Sequence, residues 1–155
     1  ADQVTSPVNE LERDEVVMIA TNLDDMTPEV YGYLMERLFA AGARDVFLEQ
    51  VMMKKNRPGV VLNVLGDDTS KDALARVVFD ETPTLGVRMT PMTRIILPRE
   101  PGTVTTPWGE IRVKNAQWND RTRSTPEYDD CAEIARQHSI PILDVYDAVR
   151  RAVTE

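Results

Sequence analysis

Thr21-Asn22-Leu23-Asp24-Asp25-Met26-Thr27-Pro28-Glu29 changes character three times in nine residues. Its first residues close a short apolar run, Val16-Val17-Met18-Ile19-Ala20, whose β-branched side chains read as a central strand. Asp24-Asp25 is then an acidic loop. Thr27-Pro28-Glu29 reads as a helix start, with an N-cap hydroxyl, a proline at the first helical position and an acid in the first turn. Val30, Leu34, Leu38 and Ala41 fall on one helical stripe, and Gly42 ends it as a C-cap.

Working outward, Asp45 to Met53 reads as a second strand. A tight basic hairpin follows, Lys54-Lys55-Asn56-Arg57-Pro58-Gly59, with its turn at residues 56–59 leading into a third strand over Val60-Val61-Leu62-Asn63-Val64-Leu65. Ser70 is expected to cap a second helix whose apolar face is Leu74, Val77 and Val78; after Thr82-Pro83 and Gly86 a fourth strand runs from about Val87 to Leu97. The order β-α-β-β-α-β predicts an α+β chain with a ferredoxin-like core over residues 15–98.

Pro98 to Gly102 reads as a break. A β-ribbon is expected next, Thr103 to Thr106 and Ile111 to Trp118, joined by Pro107-Trp108-Gly109-Glu110. Two helices complete the chain: one opened by Thr125-Pro126-Glu127 and running to about His138, the other starting near Pro141. Trp108, Trp118, Tyr146 and Val149 give this extension, residues 99–155, more apolar surface than one four-stranded sheet must cover, which predicts a homo-oligomer assembled through it. Residues 1–14 are polar and without period, and read as a flexible linker from a missing N-terminal part.

Composition sets bounds on function. A net charge of −8 argues against a nucleic-acid polymer as partner, because such binding needs many cations on phosphates. It leaves room for one small phosphorylated ligand, since the Debye length is about 8 Å at physiological salt. No apolar run reaches the roughly 18 residues of a membrane span and no signal-peptide pattern is present, so a cytoplasmic setting is expected. The single Cys131 and single His138 exclude an internal disulfide and multi-histidine zinc sites. Seven residues apart on one helix, they stand about 10.5 Å apart in rise and cannot share a metal. Met52, Met53, Met89 and Met92 read as core filler in preference to a soft-metal site.

Topology gives the acidic and basic stretches a common place. A right-handed crossover makes the first and second strands parallel with the third between them, so loop and hairpin leave one end of the sheet with roots roughly 10 Å apart. The fourth strand enters at that end and brings Arg88. Asn22, Asp24 and Asp25 offer the hard oxygens that suit magnesium or manganese; Lys54, Lys55 and Arg57 suit phosphate. Plainer readings stand beside these: the aspartates satisfy a helix N-terminus, and the cations are a solvated hairpin tip.

Four stretches carry a resemblance. They are Thr21 to Glu36, Met53 to Gly59, Thr106-Pro107-Trp108-Gly109-Glu110-Ile111-Arg112-Val113-Lys114, and Pro126-Glu127-Tyr128-Asp129-Asp130-Cys131. In order and spacing they resemble the C-terminal region of the LarC family, the nickel-insertion proteins of nickel-pincer cofactor biosynthesis, over about residues 15 to 150. The resemblance implies a CTP-dependent cyclometallase, a lyase that inserts Ni2+ into pyridinium-3,5-bisthiocarboxylic acid mononucleotide to complete the cofactor of lactate racemase. It assigns CTP with Mn2+ or Mg2+ to this region. Asp24 and Asp25 would then hold the metal, Lys54, Lys55 and Arg57 the triphosphate, with Arg88, Arg94 and Lys114 as further nucleotide contacts. The family's histidine-rich N-terminal part has no counterpart in this sequence, so a nucleotide-binding half is expected and not a complete enzyme. Two other functions compete: a ferredoxin-like assembly or small-effector module, and a single-stranded RNA platform, disfavoured by the acidic charge and by few aromatics in the central strands.

Overall fold

The computed structural model describes Val8 and residues 11–154. The chain divides into two compact units, one over Arg13–Arg94 and one that includes Ile95–Glu155. Most of the expected linker lies outside the described residues. The first strand begins at Glu12, ahead of the apolar run that announces it.

The first unit holds β1 (Glu12–Leu23), α1 (Val30–Ala40), β2 (Asp45–Met53), β3 (Arg57–Gly66), α2 (Lys71–Glu81) and most of β4 (Arg88–Ile96). Its sheet has the order β2-β3-β1-β4, as a split βαβ requires. β3 is antiparallel to both β1 and β2, which makes those two parallel. β4 runs against β1, since Arg88 meets Asn22, Thr93 meets Glu15 and Arg94 meets Asp14. The α+β, ferredoxin-like expectation is met.

Periodicity explains the core. Tyr31, Leu34 and Leu38 of α1 and Leu74, Val77 and Val78 of α2 bury one stripe each against Ile19, Leu23, Val46, Leu62 and Val64, which share one face of the sheet by strand alternation. α1 ends in a Schellman motif: the Ala43 amide donates to the Leu38 carbonyl, the Gly42 amide donates to the Phe39 carbonyl, and Gly42 sits at φ +98°.

Three local expectations are corrected. α1 starts at Val30, because the Thr27 and Pro28 carbonyls already accept from the Val30 and Tyr31 amides, so no side-chain cap is used. At α2 the carboxylate of Asp67 does the capping: it accepts from the Thr69 and Ser70 amides at 3.0 and 2.9 Å, while Ser70 Oγ accepts from the Asp67 amide. The hairpin turn is Lys54–Asn56, with Lys55 and Asn56 in left-handed conformations (φ 61° and 55°), and Arg57, Pro58 and Gly59 are already paired in β3.

The second unit departs further. Pro98–Gly102 is largely strand, and the ribbon is a three-stranded antiparallel sheet of β5 (Arg99–Thr106), β6 (Gly109–Trp118) and β7 (Arg121–Pro126). α3 (Tyr128–His138) and α4 (Ile142–Thr154) follow. Pro126 pairs with Val113 in the ladder and Glu127 is extended, so Thr125-Pro126-Glu127 ends a strand instead of capping a helix. Asp130 fastens α3 to β6, accepting from the Arg112 amide at 2.9 Å and from its guanidinium at 2.9 and 2.6 Å. Part of the apolar surface noted in this extension builds a second core: Val149 is buried with Ile111, Val113, Cys131, Ile134 and Val145, and Trp108 and Tyr146 pack against them. The methionines are also corrected, since Met52, Met89 and Met92 are exposed and not core filler.

Candidate functional site

The end of the sheet where β1 leaves and β2 turns into β3 brings the acidic loop and the basic hairpin together. Arg57 Nη1 donates to Asp24 Oδ2 at 3.2 Å across 33 residues of sequence. Beside them Arg88 Nη2 donates to Asn22 Oδ1 at 2.6 Å. Pairing of Asn22 with Val61 and of Met53 with Arg57 sets Asn22 and Arg57 on the face away from the helices. Lys54 and Lys55 are exposed at the hairpin tip. Asp25, next to Asp24, acts on Tyr31: burial first, then the Asp25 charge, pushes the Tyr31 phenol up.

Behind the acidic loop, on the helix-bearing face, lies a cavity of about 710 Å³. Leu23, Leu48 and Val60 form its floor on three adjacent strands, and Met26, Pro28 and Tyr31 form a wall. Gln50 and Asp24 supply its polar side chains. Gly59 permits the tight packing at the hairpin root, where a Cβ would collide with Met53 Sδ and meet the Leu23 carbonyl oxygen at 3.0 Å.

Asp24, Asp25 and Asn22 carry hard oxygen donors within four residues of sequence. Among the described residues no three of His, Cys, Asp and Glu converge as a metal cage. Two adjacent carboxylates and an amide fit magnesium or manganese, which keep waters and take one or two carboxylates with phosphate oxygens from a ligand. Asp24 and Asn22 are engaged by Arg57 and Arg88, so binding a metal would exchange those partners.

One expected nucleotide contact, Arg94, is not brought here. Arg94 forks onto Asp14, with Nε at 2.9 Å and Nη2 at 2.5 Å, and Arg44 joins at 2.6 Å. Asp14 precedes Asn22 by roughly 26 Å of strand, so Arg94 fastens the far end of β1. Lys114 belongs to the second unit, where Nζ lies 2.8 Å from Glu127 Oε1 beside a cavity of about 660 Å³ that Arg99 and Arg112 also line. Reasoning from sequence passed over Gln50 and Tyr31. Gln50 carried a signal: Val46, Leu48, Gln50 and Met52 share one face of β2, and it is the one hydrogen-bonding side chain among them.

The family model described as nickel insertion protein matches residues 3–146. The pyridinium-3,5-bisthiocarboxylic acid mononucleotide nickel insertion protein of Acetivibrio thermocellus is 48% identical over 140 residues, 90% of this chain and 34% of that protein. The protein of the same name from Lactiplantibacillus plantarum is 46% identical over 142 residues, 92% of this chain and 34% of its own length. The chain therefore spans about a third of the curated relatives it matches. A solved structure, the apo form of the C-terminal domain of a cyclometallase involved in the synthesis of the NPN cofactor of lactate racemase, has a TM-score of 0.86 and 45% identity, covering 93% of this chain and 100% of that one. On these grounds the chain belongs to the nickel insertion protein family.

Proposed function

We propose that this chain is the nucleotide-binding, C-terminal part of a CTP-dependent cyclometallase, a lyase that inserts nickel into pyridinium-3,5-bisthiocarboxylic acid mononucleotide and so completes the nickel-pincer cofactor of lactate racemase. Nickel is cargo in this reading. The names of the relatives supply the nickel-insertion role and the substrate. The observation that carries the nucleotide role is the contact of Arg57 with Asp24, a residue that also lines an apolar cavity. It joins cations that suit phosphate to carboxylates that suit a hard metal.

In this reading the triphosphate of CTP lies against Lys54, Lys55, Arg57 and Arg88, and Asp24, Asp25 and Asn22 hold Mn2+ or Mg2+ to it. The metal would neutralise phosphate charge; the lysines act as point charges and the arginines as forks. Arg94 keeps the structural ion pair with Asp14 described above. A homo-oligomer in the cytoplasm completes the proposal, with Leu143 and Val153 as exposed apolar positions on α4 available for contact. No helix is long and apolar enough to cross a membrane among the described residues.

Thermal unfolding with CTP and MnCl2 tests the proposal. A ligand at a hundred times its Kd stabilises by about 2.7 kcal/mol, readily seen as a raised midpoint. An unmoved midpoint at millimolar CTP overturns it in favour of an assembly or effector module. In that case Lys54→Ala with Lys55→Ala changes oligomer mass and not nucleotide affinity.

A further inference from the structure

We propose that the open face of the second unit's sheet binds a pyridinium phosphomonoester, with the phosphate at Arg99 and Lys114 and the ring over Trp118. The inference rests on the nickel-insertion reading above and gives its mononucleotide substrate a seat. α3 and α4 cover the face of this sheet that carries Ile111 and Val113, so alternation turns Arg112, Lys114, Ala116 and Trp118 of β6 to the other side. Register adds Arg99 from β5 and Arg121 and Arg123 from β7, because Ala116 pairs with Arg99 and with Arg123, and Trp118 pairs with Arg121. The face thus gathers five cations, Arg99, Arg112, Lys114, Arg121 and Arg123, against one carboxylate of its own strands, Glu110, in a chain whose net charge is −8.

Folding alone does not call for this collection. Arg112 is held by Asp130 and Lys114 by Glu127, whereas Arg99, Arg121 and Arg123 are exposed and have no ion pair among the described residues. Arg99 and Arg123 flank Ala116 in one row, roughly 10 Å apart at the backbone. Unpaired guanidiniums on one face repel one another, and an anion between them removes that repulsion. A hollow of about 660 Å³ is there to take one: Arg99, Arg112 and Lys114 line it with Thr103 and Glu127, and its volume is that of a small-ligand pocket. Guanidinium forks and an ammonium are the donors that match phosphate oxygens.

Trp118 supplies the surface for the ring. It stands two residues beyond Ala116 on the same face, about 7 Å along β6, a gap that one ribose bridges when the phosphate lies in the hollow. The indole is half-buried, so part of it stays open to a ligand. A pyridinium carries positive charge in its ring, and tryptophan holds a cation against its face better than any other side chain. Arg121 and Arg123, beside Trp118 and Ala116 on β7, then meet acid groups on the rim of the ring. Phosphate, pyridinium and ring acids are together the features of the mononucleotide in the proposed reaction. A single-stranded polymer fits less well, because the net charge is −8 and the face offers one aromatic side chain.

The test is calorimetry on the chain, titrating nicotinic acid mononucleotide, which is a pyridinium phosphomonoester with one ring carboxylate, and separately inorganic phosphate, a uridine oligonucleotide, and CTP with MnCl2. Wild type is expected to bind the mononucleotide more tightly than phosphate or the oligonucleotide. Arg99→Ala, at an exposed position, is expected to keep its melting temperature, weaken mononucleotide and phosphate about tenfold each, and leave CTP unchanged. Trp118→Leu is expected to weaken the mononucleotide about fivefold and leave phosphate unchanged. Should that variant fold poorly, Arg121→Ala tests the ring separately: it is expected to weaken nicotinic acid mononucleotide and not nicotinamide mononucleotide, whose ring lacks the acid. Failure of wild type to bind the mononucleotide, unchanged affinity in Arg99→Ala, or tighter binding of the oligonucleotide overturns the seat, while CTP binding in the same preparation leaves the nucleotide reading standing. Parallel weakening of CTP by Arg99→Ala overturns it as well, by making this face part of the CTP site.

Discussion

Arg57 Nη1 and Asp24 Oδ2 stand 3.2 Å apart, so a hairpin cation and a loop carboxylate separated by 33 residues share one end of the sheet. The guanidinium side chain is 58% exposed and the carboxylate 25%. Exposed pairs of this kind contribute at most about 1 kcal/mol, so the contact does little to hold the fold together. Arg57→Ala should therefore leave the urea midpoint nearly where it was, while affinity for CTP with Mn2+ falls about tenfold or more, as expected for a lost charge-assisted phosphate contact. Paired denaturation and calorimetry on the variant read the two effects separately; a large loss of stability with unchanged affinity would make the pair a structural clasp.

The opposite result is expected at the other end of β1. Asp14 is held down to about 2 from an ordinary 3.8, first by its hydrogen bonds from Arg94 and then, against some cost of burial, by Arg44. A depressed folded-state pKa contributes stability that is complete above the unfolded value near 3.8 and is lost as pH falls toward 2. Asp14→Asn should lower the urea midpoint at pH 7 and converge with wild type between about pH 4 and pH 2. Arg94→Ala should show the same stability loss at neutral pH with CTP affinity intact, and a drop in that affinity would return Arg94 to the proposed nucleotide site.

Local grammar explains how far the sequence could be read. β1, α1, β2, β3 and α2 each carry the period of their own burial, so Ile19, Leu34, Leu62 and Leu74 were legible as core and the split βαβ order followed from them. The meeting of Asp24 with Arg57 was also legible, because topology alone fixes which ends of the strands coincide. β7 was not: Arg121-Thr122-Arg123-Ser124-Thr125-Pro126 is mostly exposed and owes its form to the ladder with β6, which no propensity announces. The motifs at Thr27 and Thr125 share Thr-Pro-Glu, yet one precedes a helix through backbone turns and the other finishes a strand, because Pro126 is paired with Val113. Arg94 with Asp14 illustrates a further limit, since an ion pair across 80 residues depends on β4 lying beside β1 in one particular register.

Cys131 should be chemically silent in the folded chain. It is fully buried in the core of the second unit, and burial, followed by the Asp130 charge, pushes its thiol up. Only the thiolate attacks, so labelling by iodoacetamide at pH 7.5 should be negligible in native protein and prompt in urea. A fast native reaction would show that α3 opens away from β6. Arg112→Ala, which removes the guanidinium contacts to Asp130, should raise the native labelling rate by weakening that attachment.

Gly59 links the fold to the cavity. It lies in the cavity lining at the root of the hairpin, and a methyl there would collide with Met53 Sδ and press on the Leu23 carbonyl oxygen at 3.0 Å. The sulfur belongs to a flexible side chain and can move; the carbonyl belongs to β1, one residue before Asp24, and can yield only by shifting the strand end that carries the acidic loop. Gly59→Ala is thus expected to cost about 1–3 kcal/mol, the usual range for overpacking. Adding Met53→Ala should restore part of that loss by relieving the sulfur contact. It should not restore CTP binding, because the backbone contact with Leu23 remains and Asp24 stays displaced. Complete recovery of both stability and affinity in the double variant would place the whole constraint in the Met53 side chain and remove the backbone of β1 from the geometry of the site.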